Sequence, residues 1–184
     1  MTEARFDEVV IVDWSASSRP NPRPAADSIW IGRTDAHGTE AQHFPTRQLA
    51  ELWLLHHVQA AIAGRRRLLT GFDFAFGYPS GFAGILTGQN TAQSVWAYLD
   101  QHISDGKDNQ NNRFAVAAAM NVHFDAPGPF WGGNGPTDLP PRKPPPPNSL
   151  SEHRAAEAKG AKSIWQLTGA GAVGSQSLMG QPML

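Results

Sequence analysis

The spacing of hydrophobic residues changes character along the chain. Residues 9–12 form a continuous β-branched run, Val-Val-Ile-Val, closed by Asp13, Trp14 and Ser15. A short apolar run without alternation predicts a strand buried on both faces, in the middle of a sheet. Residues 17–26 (Ser-Ser-Arg-Pro-Asn-Pro-Arg-Pro-Ala-Ala) predict a turn or loop. Residues 28–34 (Ser-Ile-Trp-Ile-Gly-Arg-Thr) predict a second strand, His37-Gly38 a turn, and residues 40–44 a third, weaker strand. Loops this short join strands most simply as antiparallel neighbours. The period then becomes helical. Thr46 is the predicted N-cap of a helix in which Leu49, Leu52, Trp53, His56, Ala60 and Ala63 recur at helical spacing, and Gly64 ends it. Residues 68–76 (Leu-Leu-Thr-Gly-Phe-Asp-Phe-Ala-Phe) predict a second buried strand. A helix between two buried strands predicts a crossover, which sets this strand parallel to the first.

Beyond Gly77-Tyr78-Pro79-Ser80-Gly81 the pattern predicts helices over residues 91–103 and 108–121. Residues 125–149, with prolines at 144–147, exclude helix and central strand. Residues 151–162 predict a further helix, residues 163–168 a short strand, and Gly169 to Gly174 a glycine-rich loop. No internal repeat is present. The expected organisation is a single domain: a core over residues 8–76, a helical part over 88–124, the Pro/Gly-rich excursion, and a helix and glycine loop over 150–184. The order strand, strand, strand, helix, strand is the opening half of an α/β, ribonuclease-H-like mixed sheet. In that fold three strands are antiparallel and a crossover helix leads to a parallel fourth. The chain stops at Pro182-Met183-Leu184 without a closing element, which predicts a C-terminally incomplete fold.

Composition narrows the function classes. The 184 residues carry 15 basic and 16 acidic side chains, a net charge of −1, which disfavours broad non-specific nucleic-acid binding through a basic face. At 40% apolar residues a core of ordinary size is expected, and 18 glycines and 15 prolines predict many loops. The absence of cysteine excludes disulfides, thiolate metal sites and a Cys nucleophile. No stretch approaches the ~18 continuous apolar residues of a membrane span, and the acidic start lacks an apolar h-region, so a cytoplasmic location is the expectation.

Two carboxylates stand apart from their polar relatives. Asp13 closes the first buried run and Asp73 lies within the second. If their strands are parallel neighbours, both acids emerge at the carboxyl edge of the sheet, where open α/β sheets bind ligands. Adjacent oxygen anions repel, and Mg²⁺ or Mn²⁺ is the natural relief. The plainer alternative is that each acid caps a loop or pairs with an arginine. Ser15 is a candidate donor to an anionic ligand, or a hydroxyl that closes its own turn. Glu51 reads as a solvated glutamate, and one of His56 and His57 as a hydrogen-bonded core histidine. Arg65-Arg66-Arg67 suits a helix C-terminus or a phosphate backbone. The run from Asp105 to Arg113 fails the spacing of an EF-hand, leaving Asp108 as a helix cap. Gly169, Gly171 and Gly174 match G-x-G-x-x-G by letter. With Ser175 they form a candidate anion-binding loop, a dinucleotide site being the weaker alternative. Glu157, on the expected helix before that loop, is a candidate third carboxylate or half of a surface ion pair with Arg154. Lys162 is a candidate to steady developing negative charge.

Val-Asp-Trp-Ser-Ala (residues 12–16), Asp-Ser-Ile-Trp (27–30), Gly-Phe-Asp-Phe-Ala-Phe-Gly-Tyr-Pro (71–79), Asn-Asn-Arg-Phe (111–114), Phe-Trp-Gly (130–132) and Trp-Gln-Leu-Thr-Gly-Ala-Gly-Ala-Val-Gly-Ser-Gln (165–176) together resemble an uncharacterised bacterial family of ribonuclease-H-like predicted nucleases. Some of its members carry a label of molybdopterin guanine dinucleotide synthesis. The resemblance implies that Asp13 and Asp73 are the two strand-end acids of the fold, and that the family continues past Leu184 with another strand and further acids. The leading expectation is metal-dependent phosphodiester or phosphate chemistry, with Asp13, Asp73, Glu157 and Lys162 as candidate catalytic residues. Nucleic acid or a phosphate-containing small molecule is the expected partner. The alternatives are a nucleotide-binding protein of the actin and sugar-kinase type, and a non-catalytic module tied to assembly of the molybdopterin guanine dinucleotide cofactor.

Overall fold

The computed structural model describes residues 5–132, 138–144, 150–157 and 160–184. The chain forms two compact units, Met1–Asp73 with Gly106–Gln110, and Phe74–Asp105 with Asn111–Leu184.

The first unit is a four-stranded mixed sheet with one helix. Strands β1 (Glu8–Asp13), β2 (Ile29–Asp35) and β3 (Gly38–Phe44) are followed by α1 (Arg47–Ala63) and β4 (Leu68–Phe72). The strand order is β3-β2-β1-β4. β1 pairs antiparallel with β2, placing Val12 opposite Ile31 and Asp13 opposite Trp30. It pairs parallel with β4, placing Val10 opposite Thr70 and Val12 opposite Phe72. The α/β class, the three antiparallel strands and the parallel fourth strand reached through a crossover helix follow the sequence pattern.

Val10, Val12, Ile29, Ile31 and Phe44 are buried on the face that carries α1. The opposite face is open: Ile11 is 55% and Leu69 43% exposed. The expected burial of the first strand on both faces is therefore corrected. A continuous apolar run fits a one-sided strand too when its outward residues are left uncovered. β4 also ends at Phe72, short of the expected residue 76.

Helix α1 starts and stops where its caps require. Thr46 Oγ1 accepts from Leu49 N–H, and the Gly64 N–H closes the last turn on Ala60 O and Ile62 O. Its buried stripe differs from the expected one. Arg47, Ala50, Leu54 and Ala61 point inward, while Leu49 and Leu52 are 49% and 46% exposed. Apolar residues surround this helix, so spacing alone selects no face. Small Ala50 and Ala61 are almost fully buried.

The second unit holds α2 (Phe82–Thr87), α3 (Ala92–His102), α4 (Arg113–Asn121) and α5 (Gly174–Gly180), followed by a 3₁₀ turn over Gln181–Met183. Its core gathers Phe82, Leu99, Met120, Phe130, Ile164, Trp165 and Leu178. Phe82 stacks on Phe124 with centroids 5.2 Å apart. Asn121 closes the loop to Phe130 with two buried hydrogen bonds, Nδ2 donating to Phe130 O and Oδ1 accepting from Phe130 N–H.

Three local expectations change here. The helix expected over 108–121 begins only at Arg113, and Asp108 caps a turn rather than a helix, its Oδ1 accepting from Gln110 N–H. Residues 151–157 and 160–162 contain no helix. There Glu157 folds back on Arg154, and Gly160 takes φ +91°. The short strand over 163–168 reduces to a single bridge between Trp131 and Gln166. Residues 133–137 and 145–149 of the Pro/Gly-rich stretch, and 158–159 of the expected helix, lie outside the described residues. No helix of the described residues is long and apolar enough to cross a membrane.

Candidate metal centre

Asp13 is the last residue of β1, and Asp73 directly follows β4. The parallel register carries on past Val12 opposite Phe72, because Asp73 N–H donates to Val12 O at 3.1 Å. Both acids thus leave the sheet at its carboxyl edge on neighbouring strands, near enough that Asp13 raises the pKa of Asp73. Asp73 Oδ1 also accepts from Trp14 N–H at 2.8 Å. That bond ties the acid of one strand to the backbone just beyond the acid of the other.

Electrostatics follows from this geometry. Burial raises the pKa of Asp73 to about 6, and the negative charge of Asp13 adds to the rise against the Trp14 N–H. Two neighbouring carboxylates repel each other, and a divalent cation between them relieves that repulsion. Both groups offer only hard oxygen ligands, the set that Mg²⁺ and Mn²⁺ prefer. Among the described residues no three His, Asp or Glu side chains gather in ligand range. A cation held by this pair would complete its shell with water or substrate oxygens, as Mg²⁺ commonly does.

Comparison of the chain with family models, with curated proteins and with solved structures gives no match.

The remaining candidates divide between the units. Ser15, in the first, is buried and closes its own turn: Oγ accepts from Ser17 N–H at 3.1 Å. Glu51 is exposed on α1. His57 is the core histidine of the adjacent pair, stacked on Trp53 at 4.6 Å with Nε2 2.9 Å from Glu8 Oε1. Arg66 and Arg67 pair with Glu8 (2.5 Å) and Asp7 (2.9 Å), so two of the three consecutive arginines serve the fold.

Glu157, Lys162, Gly169, Gly171, Gly174 and Ser175 belong to the second unit. Glu157 is occupied by Arg154, its Oε2 accepting from the backbone N–H at 2.8 Å and Oε1 from Nε at 3.0 Å. Lys162 is exposed and runs beside Gly171. Gly169 and Gly171 adopt φ of +104° and +73°, which glycine allows at little cost. At Gly174 a Cβ would strike Ile164 O at 2.4 Å and Gln166 O at 2.5 Å, so close backbone packing demands glycine there. Ser175 Oγ donates to Leu167 O at 2.7 Å and accepts from Arg113 Nε at 3.1 Å. Among the described residues no strand leads into these glycines, only the bridge at Gln166, so the context of a dinucleotide fingerprint is missing there.

Sequence reasoning missed Arg47 and Asn109. Arg47, at the first position of α1, is 1% exposed and donates to Ser15 O, Ser17 O and Asn109 O. Asn109 is buried at φ +65°. Both left a faint signal. A cation in the first turn of a helix opposes the helix dipole, and asparagine is a residue that tolerates a left-handed backbone.

Proposed function

We propose that this protein is a divalent-metal-dependent, nuclease-like hydrolase of phosphodiester or phosphate substrates, built on a ribonuclease-H-like sheet. The observation that carries the proposal is the meeting of Asp13 and Asp73 at the carboxyl edge of two parallel strands. A bound Mg²⁺ or Mn²⁺ would supply Lewis acidity toward a phosphoryl oxygen and a water acidic enough to attack near neutral pH. Asp13 and Asp73 would hold the cation. The Trp14 N–H would keep Asp73 oriented and favour its ionised form. Loss of the Asp73 proton on cation binding makes affinity rise with pH up to and somewhat beyond the Asp73 midpoint near 6.

Calorimetric titration with Mn²⁺ tests the reading. Binding at millimolar affinity or better is expected for the unaltered protein, and Asp13→Asn and Asp73→Asn should each abolish it. Unchanged binding in both variants, or no binding to the unaltered protein, overturns the reading.

A further inference from the structure

The turn that follows Asp13 is held from inside the fold. Arg47 Nη1 donates to Ser15 O at 3.0 Å and to Ser17 O at 2.8 Å, and Nη2 to Asn109 O at 2.9 Å. The Arg47 N–H donates to Asn109 Oδ1 at 3.0 Å, and Asn109 Nδ2 donates to Arg19 O at 3.2 Å. Three separate pieces of chain therefore converge on one guanidinium: the Ser15–Arg19 turn, the start of α1, and the Gly106–Gln110 segment. That last segment belongs to the first unit although it lies between α3 and α4 in sequence. It is shaped for the task. Gly106 N–H donates to Gln110 O at 2.7 Å, Asn109 N–H donates to Gly106 O at 2.9 Å, and the left-handed Asn109 turns both its main-chain and side-chain oxygens to Arg47.

A buried guanidinium bears a large desolvation cost, which the fold meets here with carbonyl acceptors drawn from the turn beside the acid pair. Held at Ser15 and Ser17, the chain has little freedom at Trp14, one residue earlier. The Trp14 N–H is the donor that reaches across to Asp73.

We propose that Arg47, set by Asn109, is the positioning residue of the acid pair: it fixes the turn after Asp13 so that the Trp14 N–H stays on Asp73 and the two carboxyls stay apposed for a cation. Arg47 is itself buried and acts through the turn it holds. The proposal rests on the metal reading for its purpose, but the geometry can be read without metal.

The test follows the Trp14 amide by hydrogen exchange in metal-free protein, alongside Mn²⁺ calorimetry. In Arg47→Met the turn loses its hold at Ser15 and Ser17, so the Trp14 N–H should leave Asp73 and exchange about tenfold faster relative to the amides of β1, and Mn²⁺ affinity should fall about tenfold. Asn109→Gly keeps the guanidinium and accepts the left-handed backbone. It should move both readouts in the same direction by less, and it decides the matter if Arg47→Met does not fold. Unchanged Trp14 exchange in the folded variants, whatever their melting temperature, overturns the proposal and leaves Arg47 a purely structural residue. If the unaltered protein binds no Mn²⁺, the metal reading falls, and Trp14 exchange alone still decides whether Arg47 positions the pair.

Discussion

Asp73 is the residue on which burial and charge act most openly. Its folded-state pKa of about 6 lies above the ordinary 3.8. A carboxyl shifted this way stabilises the fold while protonated, so that contribution is complete below about pH 4 and is lost as pH rises through 6. With solvent screening at a half-exposed group allowed for, the loss is about 1–2 kcal/mol. Asp7 and Asp35 have lowered pKa values, from the Arg67 side chain and the His37 N–H respectively, so their stabilisation fails only on the acid side of about pH 4 and does not mask the effect. Urea unfolding of metal-free protein should therefore give a smaller free energy at pH 7.5 than at pH 4.5, and Asp73→Asn should remove most of that difference. A difference equally large in the variant would show that other groups cause it. Glu8 is the contrasting carboxylate. It is 1% exposed and lies beside Arg33, Arg66 and His57, so its charge is met by neighbours and serves the fold.

Among the elements, α5 shows how a glycine pattern can carry structure instead of chemistry. Gly174→Ala would push a methyl group into two backbone carbonyls that cannot move independently. About 1–3 kcal/mol of destabilisation is expected by thermal or urea unfolding. A stability unchanged within 0.5 kcal/mol would remove the packing explanation. The strands and α1 were legible because each carries its own punctuation: the β-branched run before Asp13, the turn at His37-Gly38, Thr46 and Gly64. The parallel placement of β1 and β4, and with it the meeting of Asp13 and Asp73, followed from a helix lying between two apolar runs. Less was legible where tertiary contacts override local pattern. The inward face of α1, with Arg47, Ala50, Leu54 and Ala61 buried, is chosen by tertiary packing, which residue spacing does not encode. Residues 151–157 have helix-forming letters, yet Glu157 spends its carboxylate on the Arg154 backbone and closes a turn instead. Arg47 and Asn109 are 62 positions apart, and no local rule connects an arginine at a helix start to an asparagine in a polar loop.

At the scale of the whole molecule, the proposed chemistry is confined to one of two compact units. That unit borrows Gly106–Gln110 from between helices of the other. A net charge of −1 provides little long-range attraction for a polyanion, so substrate recognition in this account begins at the cation and not at a basic surface. Two carboxylates from the protein leave most of the cation's shell to water and substrate, which is the open arrangement hydrolysis requires. The most direct measurement is an anomalous difference map from a crystal of this protein soaked in Mn²⁺ near pH 7.5. The account predicts a peak within about 2.5 Å of carboxyl oxygens from both Asp13 and Asp73, with the Trp14 N–H still on Asp73. A fully occupied Mn²⁺ elsewhere, with none at the two carboxyls, would contradict it.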